Sequence, residues 1–263
     1  MDLLKRNASP INDIAWEEID DQARDIFNTN LTARRFVDVE GPKGFDYSAV
    51  NLGKLNVPDN QDSKEVMYGI RKVSPLIETR IIFELDLWEL DNIARGDKDP
   101  DLGAVEEAAK KMAHFEDKAI YNGFKAGNII GIDECVEHKI SITKIEDYPE
   151  YVSEAIIKLK QDGIEGPYSL VINPIDWNHI TKYAQAYPLR KRITELVSGE
   201  PIISTDIKGA YVVSLRGGDY SLTLGQDLSI GYESHTGSKV RLFMMETFAF
   251  NIYESKAIIK ISE

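Results

Sequence analysis

The N-terminal part of the chain contains a segment in which hydrophobic residues recur every three or four positions. This spacing runs from Trp16 to about Leu31 and predicts an amphipathic α-helix, preceded by an irregular arm over residues 1–10. Asn12 or Asp13 is suited to cap the helix. Acidic residues crowd its first turns, where the helix dipole stabilises negative charge.

A longer apolar stripe predicts the main helix over residues 101–126. Pro100 is placed near its first turn, Asp99 is placed to cap it, and Gly123 or Gly127 marks its end. We expect this helix to be the spine against which a sheet packs.

Residues 46–80 alternate imperfectly between apolar and polar positions, and they predict a different kind of element. Two extended arms flank a polar tip at residues 58–63, an arrangement typical of a long two-stranded ribbon. Because a two-stranded ribbon is only marginally stable in water, it needs a surface to lie on. We expect that surface to be another part of the fold or another subunit.

From about residue 134 the pattern becomes a compact mixture of helices and strands. The predicted helices are YVSEAIIKLKQDG, PIDWNHITKYA and LRKRITELVSG. The predicted strands are YSLVIN, PIISTDI, AYVVSL, SLTLGQDLSIGYE, VRLFMMETFAFNIY and KAIIKIS. We expect the last three strands to close the chain, after Gly217 and Gly218 return it to its first domain.

Composition narrows the possible partners. The chain has 263 residues, of which 43% are hydrophobic and 29% charged, enough for a real core. Its net charge of −13 repels nucleic acid phosphates and anionic membranes, so neither is expected as a partner. Cys135 is the single cysteine, so no disulfide within the chain points to secretion. No apolar run is long enough for a signal sequence or a membrane span. We therefore expect a cytoplasmic protein.

The sequence contains no pattern that points to catalysis. It has four histidines and no HExxH, CxxC, GxSxG, GxGxxG or phosphate-loop motif, so we expect no metal site. The carboxylates of Asp86 and Asp91 are more typical of a solvated face than of an acid–base pair. We therefore expect that the chain is not an enzyme.

Several long motifs resemble one known family. They are LDLWELDN at 85–92, FVDVEGP at 36–42, DGIEGPY at 162–168 and LGQDLSIGYE at 224–233, supported by LLKR at 3–6 and ETFAF at 246–250. Together they cover the whole chain in order and resemble the encapsulin shell proteins. The resemblance implies an α+β fold of the tailed-phage major capsid type, the Hong Kong 97 fold.

The resemblance also implies a division of the chain. Its parts are an N-terminal arm and helix with the start of the peripheral domain (1–45), an extended loop (46–80), the peripheral domain with its spine helix (81–133), an axial domain (134–222) and the closing strands of the peripheral domain (223–263). The ribbon would then be the extended loop that lies across a neighbouring subunit.

A family member of this kind self-assembles into a closed icosahedral cage, expected here to be the sixty-subunit T=1 shell. The cage encloses a cargo enzyme by binding its C-terminal targeting peptide in a groove of the inner wall. The positions that match this groove are Phe27, Leu31, Arg34, Asp38, Val39, Ile230 and Tyr232. The alternative for Phe27, Leu31 and Ile230 is that they are plain core residues.

Two further sites are implied by the resemblance. Ala184, Gln185, Ala186 and Tyr187 match the loop that lines the five-fold pore, the alternative being an ordinary surface loop. No cofactor is required, but Trp88, with Arg80, matches the position at which some relatives hold a flavin such as FMN. The alternative for Trp88 is a packed tryptophan at the foot of the spine helix.

The expected cargo is a ferritin-like protein, which would give the shell a role in iron storage and defence against oxidative stress. A dye-decolorising peroxidase is the other common cargo of the family. A viral or prophage capsid protein is the alternative from a different functional class. The family has also been labelled as bacteriocins or proteases. This sequence has no catalytic triad or metal pattern that would support such a label.

Overall fold

The computed structural model describes residues 3–62, 64–183 and 188–262. The α-helices in these ranges are α1 (Asp13–Asn30), α2 (Leu87–Arg95), α3 (Gly103–Asn122), α4 (Ile132–Cys135), α5 (Tyr148–Gln161), α6 (Pro174–Lys182) and α7 (Leu189–Leu196). The strands are β1 (Asp38–Glu40), β2 (Ala49–Asn56), β3 (Ile70–Pro75), β4 (Ile77–Asp86), β5 (His138–Ser141), β6 (Tyr168–Ile172), β7 (Ile202–Ile203), β8 (Ala210–Ser214), β9 (Tyr220–His235), β10 (Lys239–Ile252) and β11 (Ile258–Ser262).

Helix α1 confirms the prediction from hydrophobic spacing. Asn12 is its cap, and the Asn12 side-chain oxygen accepts a hydrogen bond from the Ala15 amide at 2.9 Å. The apolar face of α1, including Trp16, Ile19 and Phe27, is buried. This face packs against α3 and the four-stranded sheet described below, so α1 belongs to a core and is not a free arm.

Helix α3 is the predicted spine, but it is shorter at both ends than residues 101–126. The residue before it, Leu102, has no side-chain cap, and the Leu102 amide instead donates to the Pro100 carbonyl at 2.9 Å. The prediction that Asp99 caps the helix was therefore wrong. Gly123 ends the helix, as predicted, with a φ of 82° that favours glycine.

The strands form three separate sheets. A four-stranded sheet has the order β1-β9-β10-β4, and a five-stranded sheet has the order β5-β11-β8-β6-β7. Among the described residues, strands β2 and β3 pair only with each other. The long antiparallel pair β9 and β10 is the centre of the first sheet, and β1 runs parallel to β9 over only residues 221–223 of β9.

The five-stranded sheet corrects the predicted position of the last strand. We expected β11 to lie with the other closing strands, β9 and β10. Instead it runs parallel to β5 and antiparallel to β8, so the chain crosses between sheets after residue 252. Ile259 and Ile261 are fully buried by this pairing, which is the physical reason for the crossing. The segment PIISTDI forms only the two-residue strand β7.

The ribbon formed by β2 and β3 belongs to neither of the two larger sheets. It is shorter than residues 46–80, because the chain from Ile77 onward belongs to β4 in the four-stranded sheet. Five of the six residues of β3 are exposed, and Ile70 is 61% exposed. At the tip, Val66 is 92% exposed. Within the described residues, nothing covers this apolar surface, which therefore favours burial against another molecule.

None of the helices in the described ranges is long and apolar enough to cross a lipid bilayer.

We predict that Ile70→Asp prevents assembly while the subunit still folds. Ile70 makes little intrachain contact to lose, but burying its side chain against a neighbour is worth about 1.5–3 kcal/mol per copy. Electron microscopy and light scattering should show small species in place of particles, with an unchanged circular dichroism spectrum. The matched control is Lys72→Gln on the same strand, and normal particles from Ile70→Asp would contradict the prediction.

Candidate functional site: a groove between α1 and β9

A groove of about 460 Å³ lies between α1 and β9. Its buried or half-buried apolar lining consists of Leu4, Ala23, Phe27, Leu228 and Ile230. Its exposed or half-exposed polar lining includes Asp20, Arg24, Asn28 and Asp227. An apolar floor with a polar rim is the usual chemistry of a site that binds a short peptide.

Of the seven predicted groove residues, the structure brings Phe27 and Ile230 into the groove. Both are 2% exposed, so they are core residues and groove floor at the same time. Leu31 is buried in the same core but does not line the groove, which fits the alternative of a plain core residue. Leu228 lines the groove and was missed, although it lies within the recognised motif LGQDLSIGYE.

Arg34 lies beside the groove and is already neutralised within the chain. Its guanidinium is 2.6 Å from a carboxylate oxygen of Glu116, 2.5 Å from Glu246 and 3.0 Å from Asp227. Burial lowers the pKa of Arg34, but hydrogen bonds and the charge of these acids outweigh burial and raise that pKa above its ordinary value. Arg34 also lies 5.2 Å from the centre of the Phe27 ring, so it braces the floor of the groove.

Glu246 is the buried acid of this cluster. Burial raises the pKa of Glu246 well above its ordinary value, and the neighbouring charge of Glu116 raises it further. One guanidinium cannot fully neutralise three ionised carboxylates, so the cluster favours the protonated form of Glu246. Consistent with this, Glu246 Oε2 has no hydrogen-bond partner among the described residues.

The remaining predicted groove residues lie elsewhere. A carboxylate oxygen of Asp38 accepts a hydrogen bond from the Gly218 amide at 2.5 Å, and Val39 is exposed on the edge strand β1. The Tyr232 amide donates to the Leu4 carbonyl at 2.7 Å, and the Tyr232 hydroxyl is 2.5 Å from His235 Nδ1. None of these three residues lines the groove.

The two residues assigned to a flavin are far apart. Trp88 is 70% exposed at the start of α2, so its indole face is open for stacking. Arg80 lies six positions before the end of β4, about 20 Å along the strand, and its guanidinium lies 4.1 Å from the centre of the Phe243 ring. The pair does not form one flavin site within a chain. Flavin binding stays a prediction that depends on Trp88 alone.

The predicted pore residues, Ala184, Gln185, Ala186 and Tyr187, lie outside the residues that the structure describes. Across the described ranges, no group of three or more histidine, cysteine, aspartate or glutamate side chains is placed to hold a metal ion.

We predict that Glu246→Gln weakens the pH dependence of stability. The pKa of Glu246 in the folded protein lies above its value of about 4.5 in the unfolded chain, so the folded state binds the extra proton between these two values. The free energy of unfolding therefore falls as pH rises through this window, by up to about 1.4 kcal/mol per pH unit for one proton. Glutamine cannot ionise, and it can still accept a hydrogen bond from Arg34.

The measurement is the apparent melting temperature by differential scanning fluorimetry at a series of pH values. The melting temperature of Glu246→Gln should fall less than that of the wild type as pH rises. The control is Asp227→Asn, which removes a more exposed acid from the same cluster but leaves the Glu246 carboxyl in place, so its melting temperature should still fall with pH more than that of Glu246→Gln. Parallel curves for Glu246→Gln and the wild type would show that Glu246 carries no extra proton.

Comparison with known proteins identifies the family. Residues 1–249 match the Linocin M18 family, described as an encapsulating protein for peroxidase. The type 1 encapsulin shell protein of Rhodococcus erythropolis is 40% identical over 98% of this chain and 99% of its own length. The corresponding protein of Mycobacterium tuberculosis is 36% identical over the full length of both chains.

Solved structures show the fold. The crystal structure of a virus-like particle from Pyrococcus furiosus matches with a TM-score of 0.68 at 15% identity, over 94% of this chain and 98% of that chain. The capsid of Myoviridae phage XM1 matches with a TM-score of 0.56 at 13% identity, over 88% of this chain and 91% of that chain. The predicted capsid fold is confirmed. The chain therefore belongs to the encapsulin family, as a non-enzymatic shell protein that forms a capsid-like cage.

Proposed function

We propose that the cage built by this chain encloses a cargo protein, whose C-terminal tail binds in the groove between α1 and β9. The groove itself carries the proposal, because it combines a buried apolar floor at Phe27 and Ile230 with a half-buried apolar side chain, Leu228, at its surface. Leu or Ile side chains of a tail would bind on this floor, and the polar rim would contact the tail backbone.

The assignment of Arg34 and Asp38 within this proposal changes. Both side chains are occupied by intrachain partners and neither lines the groove, so we do not assign either of them to binding the tail. Weak binding by one tail is sufficient when the cargo is an oligomer, because several tails then bind one wall at high effective concentration.

We propose a closed icosahedral cage of sixty copies, the T=1 shell. The exposed apolar ribbon of every copy has to be covered, and closed symmetry gives each copy the same neighbour. We place this cage in the cytoplasm, because the cargo tail has to meet the shell before it closes, at the place where both chains are made.

A ferritin-like cargo remains our first candidate, with a role in iron storage and oxidative stress defence. It is consistent with the acidic chain, of net charge −13, which favours the accumulation of cations. A dye-decolorising peroxidase is the second candidate, and the description of the matching family as an encapsulating protein for peroxidase favours it. A viral capsid role is disfavoured, because identity reaches 40% with an encapsulin shell protein but only 13% with the capsid of phage XM1.

We predict that Leu228→Asp gives intact but empty cages. Leu228 is half-buried, so a charge there disturbs the tail site more than the core, whereas Ile230→Asp would place a charge in the core itself. The cage is co-expressed with a ferritin-like protein or a peroxidase that carries a C-terminal targeting tail, and cargo per cage is measured by electron microscopy and gel densitometry.

The matched control is Leu228→Met, which conserves apolar volume and should fill normally. Filling of Leu228→Asp cages to the wild-type level would remove the groove from the proposal. The identity of the protein that co-purifies with wild-type cages decides between the two cargo candidates.

A further inference from the structure

The N-terminal arm, residues 3–9, forms one side of the groove. Leu4 and Arg6 are among the residues that line it. The Leu4 carbonyl accepts a hydrogen bond from the Tyr232 amide at 2.7 Å, and Arg6 Nε donates to the Ile230 carbonyl at 2.8 Å. The arm is therefore bonded to the edge of β9, directly beside the apolar floor.

Arg6 also ties the arm to α1. Its two terminal nitrogens donate to the two carboxylate oxygens of Asp20, at 2.6 Å and 2.7 Å. The same guanidinium lies 4.4 Å from the centre of the Trp16 ring, and Ser9 accepts a hydrogen bond from the Trp16 indole at 3.1 Å. A bidentate pair between arginine and a carboxylate fixes direction as well as distance. One side chain thus joins the arm, α1 and β9.

The contacts of Arg6 decide what it can do in the groove. Its Nε and both terminal nitrogens already have acceptors, and its charge is balanced by Asp20. It is therefore a poor receptor for the carboxylate of an incoming peptide. Its effect is on shape, because without the arm the groove would have only the two walls supplied by α1 and β9.

We propose that Arg6 is a positioning residue for cargo: it holds the arm as a fixed third wall, so that a tail binds between the arm, α1 and residues 227–229 of β9. The inference rests on the proposed function of the groove. A wall that is fixed before binding reduces the ordering that the tail must impose, and this strengthens binding without a direct contact to Arg6.

The test uses purified shells that are disassembled and reassembled with increasing amounts of a fluorescent protein. This reporter ends in the C-terminal tail of the cargo found by co-expression. Arg6→Ala should raise the half-loading concentration about tenfold, the factor expected for the loss of a charge-assisted pair. Arg6→Lys keeps the charge but cannot make the bidentate pair with Asp20. Its half-loading concentration should lie between those of Arg6→Ala and the wild type.

Asp20→Asn weakens the same ion pair from the side of α1. It replaces Arg6→Ala in the test if Arg6→Ala assembles poorly. If the effect of both side chains depends on their contact with each other, the half-loading concentration of the double variant should be little higher than that of either single variant. Hydrogen exchange at the Tyr232 amide should accelerate in each, since this amide reports whether the arm stays bonded. The control is Arg95→Ala, which removes an exposed ion pair with Asp91 on α2.

Unchanged half-loading in Arg6→Ala and Asp20→Asn, with loading still abolished by Leu228→Asp, would overturn the inference and leave the proposed function intact. Stronger loading in these variants would also overturn it, because the arm would then be a plug that competes with cargo. Loading that survives Leu228→Asp would count against the groove itself and hence against the proposed function.

Discussion

The buried ion cluster around Arg34 is the interaction on which the arrangement of the groove depends. Arg34 follows α1, and its partners Glu116, Asp227 and Glu246 lie on α3, β9 and β10. One guanidinium therefore joins the end of the N-terminal helix to the spine and to both central strands. Removal of such a buried cation would leave three acids facing one another, at a cost of several kcal/mol. The cluster explains why α1 meets β9 at a fixed distance and leaves a groove between them.

The next residue along α3 extends this junction toward the second sheet. Asp117 accepts hydrogen bonds from the Thr32 amide at 2.9 Å and the Ala33 amide at 3.0 Å, and the Thr32 hydroxyl also bonds to Ser204, beyond β7. Burial raises the pKa of Asp117 to about 6, although these hydrogen bonds oppose the shift. Between its ordinary value of 3.8 and this raised value, the contribution of Asp117 to stability therefore falls as pH rises, in the same direction as that of Glu246.

Hydrophobic periodicity predicted α1 and α3, because each has a long apolar stripe. It also predicted the ribbon, because its two strands are close together in sequence. It did not predict that β11 leaves β10 to pair with β5, since a strand of alternating isoleucines fits either sheet equally well.

Prediction of the groove residues from the sequence has the same limit. The resemblance placed Phe27 and Ile230 in the groove, but whether such a residue faces a groove or a core depends on contacts between residues more than 200 positions apart, such as Arg6 and Ile230. The resemblance also placed Arg34 in the groove, whereas the structure pairs its guanidinium with the buried acids Glu116 and Glu246.

The groove and the ribbon differ in one respect that bears on how a filled cage forms. The arm, α1 and β9 of a single chain already form the groove, whereas the apolar surface of the ribbon is left open by its own chain. If the groove holds cargo as proposed, a single subunit can bind a tail before any neighbour is present. An oligomeric cargo with several tails would then gather subunits at high local concentration, and their ribbons would find neighbours there first. On the proposed function, filling and closure would be coupled without any contact between groove and ribbon.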